Sequence, residues 1–147
     1  MMQPEASEHS GGCLCGAVRY GAKGALRPVV ACHCRMCQKT SGYHVAATST
    51  RDSDMTIDDP NGKLTWFASS DFAKRAFCAS CGSNLFYKRL DSDRTSIFAG
   101  TLDQPTGLKM VAQIFTEDAG DYYTPSPDVP ILSPEAFQNL RMTDWEA

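Results

Sequence analysis

The sequence predicts a mainly β, single-domain fold, and three observations carry that prediction. Short segments rich in β-branched and aromatic residues recur along the chain, each bounded by Gly, Pro, Asn or Asp. Helical periodicity is scarce. The length of 147 residues fits one hydrophobic core, and no internal repeat or second domain is visible.

Taken in chain order, Met1 to Ser10 is polar and acidic and reads as a flexible N-terminal tail, with the folded domain expected over residues 11–147. Strand-like segments follow at Ala17 to Tyr20, Val29 to Cys32, Tyr43 to Thr50, Met55 to Asp58 and Leu64 to Ala68, then at Arg75 to Cys78, Leu85 to Lys88, Ser96 to Ala99 and Leu108 to Phe115. Alternation in Leu64 to Phe67, and more clearly in Leu108 to Ile114, predicts one face on the core and one in water. Turns at Asp58-Asp59-Pro60-Asn61-Gly62 and Asp91-Ser92-Asp93 read as hairpin connections. A short helical turn is expected after Cys37, stopping at Gly42, and another at Ser133-Pro134-Glu135, where an N-cap precedes Pro at the first helical position. Thr124 to Pro130 carries three prolines in seven residues and must be extended and irregular.

Composition narrows the function classes. Hydrophobic residues make up 42% and charged residues 21%, so neither disorder nor a membrane protein is suggested. The apolar runs Val29-Val30-Ala31 and Val45-Ala46-Ala47 are far too short to cross a bilayer. The N-terminal stretch lacks the apolar segment of a secretory signal, so a reducing, cytoplasmic setting is expected. With a net charge of -3, a pI near 5.5 and scattered basic residues, nucleic acid is not an expected partner. No phosphate-binding glycine loop, Ser-His-Asp pattern or carboxylate pair stands out.

The cysteines carry the chemistry. Seven is an odd number, and they fall in tight groups: Cys13-Leu14-Cys15, Cys32-His33-Cys34-Arg35-Met36-Cys37 and Cys78-Ala79-Ser80-Cys81. Such spacing in a reducing compartment points to metal rather than disulfides. In an extended segment residues two apart point the same way, and a Cys-x-x-Cys turn converges its sulfurs by curling, aided here by Gly82. Cys13 and Cys15 with Cys78 and Cys81 would close a tetrahedral four-thiolate zinc site. Cys32, Cys34 and Cys37 would then form a three-thiolate site with an open position, the arrangement of catalytic zinc. Spacing leaves other partitions open: Cys32 and Cys34 with Cys78 and Cys81, or a closed site in which His33 or His44 completes the trio.

The segments Gly11 to Tyr20, Cys32 to Gly42, Arg75 to Ser83 and Gly100-Thr101-Leu102-Asp103 stand in an order that resembles the glutathione-dependent formaldehyde-activating enzyme family, which includes a centromere-protein branch. The resemblance implies a tent-like arrangement of antiparallel β-sheets holding two zinc ions per chain. It implies that Cys13, Cys15, Cys78 and Cys81 are structural ligands and that Cys32, Cys34 and Cys37 hold the catalytic zinc. The implied activity is that of a zinc-dependent carbon-sulfur lyase or synthase on a small thiol adduct such as S-hydroxymethylglutathione. One departure is that the family commonly has Trp where this chain has Tyr122-Tyr123 ahead of Asp128-Val129-Pro130.

Two alternative functions share these cysteines: a zinc-scaffolded binding module, and an enzyme of the same fold on another thioether or aldehyde. The open site favours an enzyme. Arg35 and Lys39 flank the trio and are candidates to meet substrate carboxylates, and Arg75 is a candidate partner for substrate or for an acidic side chain. His33, between two ligands, is expected to project away from the metal. Trp66, Phe67, Phe77, Phe86 and Tyr87 are expected to build the core.

Overall fold

The computed structural model describes residues 8–139. In chain order the strands are β1 (Glu8–Gly12), β2 (Arg19–Lys23), β3 (Val29–Cys32), β4 (Val45–Arg51), β5 (Met55–Asp58), β6 (Leu64–Ala68), β7 (Ala73–Cys78), β8 (Asn84–Arg89), β9 (Arg94–Phe98) and β10 (Met110–Ile114). Helix α1 (Arg35–Ser41) separates β3 from β4, and α2 (Pro134–Gln138) follows β10. The fold is therefore mainly β, as the segment pattern predicts. Two compact units divide the chain: Met1–Leu26 with Thr48–Gly107, and Arg27–Ala47 with Leu108–Ala147. Strand β4 begins in the second and ends in the first.

In the first unit β1, β2 and β5 form a three-stranded antiparallel sheet with β2 central. Strands β4, β9, β8, β7 and β6 lie side by side in that order, with β8 antiparallel to both β9 and β7, and β7 to β6. Leu85, Phe86 and Ile97 are fully buried here, and the Tyr20 ring meets Phe86 edge-on at 5.2 Å. Trp66 stacks on Phe86 at 6.1 Å, whereas Phe67, on the outer strand, is 42% exposed, so only part of the expected aromatic set is core. Gly11 is required by close approach: a side chain there would collide with the Thr101 carbonyl and the Tyr20 ring. That approach lets the Tyr20 hydroxyl hydrogen-bond Thr101 Oγ1 at 2.7 Å.

Residues Glu8 to Ser10, assigned to the tail by their polarity, are instead strand, pairing with Lys23 to Gly21. Hydrogen bonds rather than apolar burial secure them: Ser10 Oγ donates to Asp103 Oδ2 at 2.6 Å, the Asp103 amide donates to the Ser10 carbonyl at 2.8 Å, and His9 Nε2 lies 3.2 Å from the Thr106 carbonyl. Hydropathy does not register such ties. Asp91 to Asp93 joins the paired strands β8 and β9 as a hairpin. Asp58 to Gly62 does not join a hairpin, because β5 pairs with β2 and β6 with β7. The turn itself is as its residues demand: Asp59 accepts from the amides of Lys63 and Leu64 at 2.8 and 2.9 Å, and Gly62 takes φ +66°. Turn chemistry fixes the local reversal and not the partner beyond it.

In the second unit β3 lies between β10 and the start of β4, antiparallel to β4 but parallel to β10. One parallel pair thus joins the antiparallel ones. Val30, Ala112 and Ile114 form its core, with Leu132 and Phe137 packed against them. The alternation expected along β10 does not give a wet face: Ala112, Gln113 and Ile114 are consecutively buried. The reason is that the face bearing Gln113 is covered as well: its side chain bonds His33 at 2.9 Å and the Ser126 and Val129 carbonyls at 2.8 and 3.1 Å. Ser133 caps α2 by accepting from the Ala136 amide at 3.0 Å, with Pro134 behind it, and Thr124 to Pro130 is irregular.

Candidate metal centres

Each unit holds a cluster of cysteine sulfurs. In the first, Cys13, Cys15, Cys78 and Cys81 bring their sulfurs within 4.8 Å of one another. Cys13 and Cys15 sit in the turn after β1 rather than in an extended strand, and Gly16 at φ +84° closes that turn. Its shape is held by the Cys13 amide donating to the Val18 carbonyl at 3.0 Å and the Val18 amide to Cys13 Sγ at 3.3 Å. Cys78 ends β7, and Gly82 at φ +82° returns its amide to the Cys78 carbonyl at 2.7 Å, the curl that the Cys-x-x-Cys spacing predicts. Ser83 joins the two halves: its hydroxyl accepts from the Leu14 amide at 2.9 Å and lies 3.3 Å from Cys81 Sγ. The Ser83 side chain, then its backbone, hold Cys81 down to about 5.

The donor set fits a tetrahedral ion. Four thiolates at about 2.3 Å from a zinc have sulfurs about 3.8 Å apart along each edge. Here Cys13 and Cys15 are 3.7 Å apart, and Cys15 and Cys78 3.9 Å.

In the second unit Cys32, Cys34 and Cys37 likewise have sulfurs within 4.8 Å of one another. Cys32 ends β3, Cys34 is the N-cap of α1, and Cys37 is buried in that helix. Cys34 takes extended backbone angles and its sulfur accepts from the Cys37 amide at 3.4 Å, so capping and convergence of the sulfurs are one arrangement. Gln38 ties the loop down, its side-chain amide donating to the His33 carbonyl at 2.8 Å and the Asp118 carbonyl at 2.7 Å. Gly42, left-handed at φ +85°, ends the helix where expected. Hydrogen bonds from Cys32 and then Cys37 pull Cys34 down to about 2, while Cys32 is pushed up.

Either cluster could hold a metal ion, and the partition is the 4 + 3 division rather than a mixture of the two segments. Among the described residues no His, Asp or Glu joins the trio as a fourth donor. His33 is directed away: it is 1% exposed, with Nδ1 2.7 Å from the Tyr123 hydroxyl and Nε2 2.9 Å from Gln113 Oε1. His44 is outside the cluster too. Burial, then the His33 ring, lowers its pKa, and its Nδ1 has no hydrogen-bond partner among the described residues.

Aromatic rings gather around His33 and His44. Tyr43 packs on His44 at 4.2 Å and edge-on to Tyr123 at 4.6 Å, and Tyr122 lies 4.9 Å from Tyr123. Burial, followed by Tyr122, pushes the Tyr123 phenol up; Tyr43 and Cys32 add to this and the Gly120 amide opposes it. Arg35 and Lys39 are on the exposed side of α1, available to solutes. Arg75 belongs to the other unit, buried with its guanidinium 5.1 Å from the Tyr87 ring centre. Gln113 was not legible as a site residue, since the β10 pattern assigns it to water; the one signal is a lone amide inside an apolar run.

Residues 8–118 match the family model described as "Glutathione-dependent formaldehyde-activating enzyme". A protein of Schizosaccharomyces pombe described as an uncharacterized lyase is 33% identical over 81 residues, a match spanning 54% of this chain and 57% of that protein. The chain therefore spans little more than half the length of that relative. A crystal structure of a Rhodobacter sphaeroides protein shares the fold at a TM-score of 0.57 and 20% identity, covering 84% of this chain and 99% of the other. Among the described residues no helix is long and apolar enough to cross a membrane. The cysteine segments that suggested a family from sequence lie within the matched span, and on that match the chain belongs to the glutathione-dependent formaldehyde-activating enzyme family.

Proposed function

We propose that this protein is a zinc-dependent carbon-sulfur lyase, reversible as a synthase, acting on a small thiol adduct of the S-hydroxymethylglutathione kind. The observation that carries the reading is the three-sulfur cluster of Cys32, Cys34 and Cys37, which no fourth protein donor completes among the described residues. The family's description and the lyase name of the yeast relative support it.

In this reading Cys13, Cys15, Cys78 and Cys81 hold a structural zinc, and Cys32, Cys34 and Cys37 hold the zinc at which chemistry occurs. A three-thiolate zinc supplies an exchangeable Lewis-acid position when bound. The reaction forms a C–S bond between a thiol and formaldehyde, with the carbonyl π pair passing to oxygen and the thiol proton ending on that oxygen. In reverse the hydroxyl proton leaves, the carbonyl re-forms and the C–S pair returns to sulfur. The chain's own part is to bind and orient. The cysteines serve as ligands rather than nucleophiles, and Gln38 and Gly42 keep α1 and its sulfurs in place. Tyr43, Tyr122 and Tyr123 offer an aromatic wall, and Arg35 and Lys39 are free to meet the carboxylates of a glutathione-like substrate.

Titration calorimetry with glutathione tests this. Zinc-loaded wild type should bind it, and Cys34→Ser, with the four-cysteine cluster intact, should not. Equal binding by both would remove the trio from the site.

A further inference from the structure

Alternation of hydrogen bonds along β6 fixes which of its backbone groups face away from the sheet. The Ala79 amide donates to the Lys63 carbonyl at 2.8 Å and the Ser69 amide to the Ala73 carbonyl at 3.1 Å, so Lys63, Thr65, Phe67 and Ser69 are the residues that bond across to β7. Leu64, Trp66 and Ala68 therefore turn their amides and carbonyls outward. The Leu64 amide is taken by Asp59 Oδ2 at 2.9 Å. Among the described residues no strand lies beyond β6, which leaves the outward groups of Trp66 and Ala68 without a ladder partner.

The other sheet edges are bridged or guarded by charge. Ile131 bridges β10 and Leu102 bridges β1. Strand β5 is flanked by Asp54 and ends at Asp58, so a second copy laid antiparallel along it would set carboxylate against carboxylate. Leu64 to Ala68 hold no charge and no proline, and the exposed Phe67 ring meets Phe77 edge-on at 6.1 Å.

Identical strands can meet antiparallel about a two-fold axis, with outward groups opposite outward groups. An axis at Trp66 would set Ala68 against Leu64, whose amide Asp59 already holds. An axis at Phe67 instead sets Trp66 of each copy against Ala68 of the other. It also faces the two Phe67 side chains across a close pair, and it brings Lys63 and Asp71, equally spaced from Phe67, together at both ends with opposite charge.

We propose that β6 is a homodimer interface, at which two copies of this chain pair their β6 strands antiparallel about an axis at Phe67. The amides and carbonyls of Trp66 and Ala68 in one copy bond those of Ala68 and Trp66 in the other, and the sheet runs on through the dimer.

Sedimentation equilibrium of the zinc-loaded full chain over a dilution series tests it. Wild type should approach twice the chain mass as concentration rises; a monomer throughout would overturn the proposal and leave the edge to a different protein. Ala68→Pro removes an amide that does not bond β7, and should weaken dimerisation by about 5- to 100-fold through the hydrogen bond lost from each copy. Phe67→Lys sets like charges face to face on the axis and should be monomeric where wild type is dimeric. Ile57→Lys, the same kind of change on the exposed face of β5, should dimerise as wild type does. A dimer that survives either β6 substitution, in a variant whose circular dichroism matches wild type, would overturn the proposal, as would equal weakening by Ile57→Lys. Amide hydrogen exchange reads the same contact in wild type: the Trp66 and Ala68 amides should be protected in the dimer and lose that protection on dilution, and exchange at one rate in both states would overturn it.

Discussion

His33 donates from Nε2 to Oε1 of Gln113 across 2.9 Å, joining the segment that bears the cysteine trio to the middle of β10. Both side chains are buried, so a group in this network that loses its partner cannot turn to bulk water instead. Gln113→Leu keeps the approximate volume but leaves His33 Nε2 and the carbonyls of Ser126 and Val129 without their partner. Stability should fall by about 2–4 kcal/mol, read from urea unfolding. A loss below about 0.5 kcal/mol would mean that water replaces the glutamine.

The two metal centres should differ in tenacity. Cys13 and Cys15 lie beside Cys78 and Cys81, more than sixty positions on, so a metal bound there would contribute its binding energy to folding. Cys78→Ser should retain at most one zinc and either fail to fold or lose more than about 4 kcal/mol in thermal melts. Wild-type melting by Cys78→Ser would contradict the structural role.

Mild chelation should separate the centres in wild type. With one position not filled by protein, a zinc held by the trio would be open to solvent and competitor ligands. A moderate chelator should withdraw one zinc while circular dichroism stays unchanged. Loss of both ions together with the fold would instead indicate two structural sites.

Lys88 satisfies all its donors within the first unit: Nζ lies 2.6 Å from Asp52 Oδ2, 2.7 Å from the Ser92 carbonyl and 3.2 Å from the Arg94 carbonyl. Lys88→Met should cost about 1–2 kcal/mol, the modest figure reflecting a partly wet carboxylate. Burial acts to raise Asp52, but Lys88 and the Thr95 hydroxyl outweigh it and hold the carboxyl below its usual value of 3.8. A carboxylate depressed in the folded state stabilises fully above its unfolded pKa, near 4, and that stability is lost as pH falls through the lower folded value. Wild type should therefore lose stability below about pH 4 more steeply than Lys88→Met. Parallel acid limbs in pH-dependent melts would remove Asp52 from the account.

The sequence made local features readable and left non-local ones open. Gly42 and Gly82 announce their left-handed turns, Ser133-Pro134 its helix start, and the cysteine spacings their clusters, because each depends on a few neighbouring residues. The partition of sulfurs could not be read from spacing alone, since it depends on which distant strands meet; the family resemblance supplied it. The same limit hid the pairing of β5 with β2, the parallel pairing of β10 with β3 and the strand at Glu8 to Ser10. Gln113 was assigned to water because alternation assumes one wet face, and that face is covered by His33 and the segment Ser126 to Val129, which no periodicity within β10 encodes.

In the proposed function the Cys32, Cys34 and Cys37 centre makes and breaks a carbon-sulfur bond in a thiol adduct. Thiols add to formaldehyde unaided, so the decisive quantity is an exchange rate against background. Exchange spectroscopy on an equilibrium mixture of formaldehyde, glutathione and their adduct measures it directly, in buffer, with wild type and with Cys34→Ser. Exchange faster with wild type than in buffer, and returned to the buffer rate in Cys34→Ser, is the predicted result; equal rates in all three would contradict the claim for this substrate.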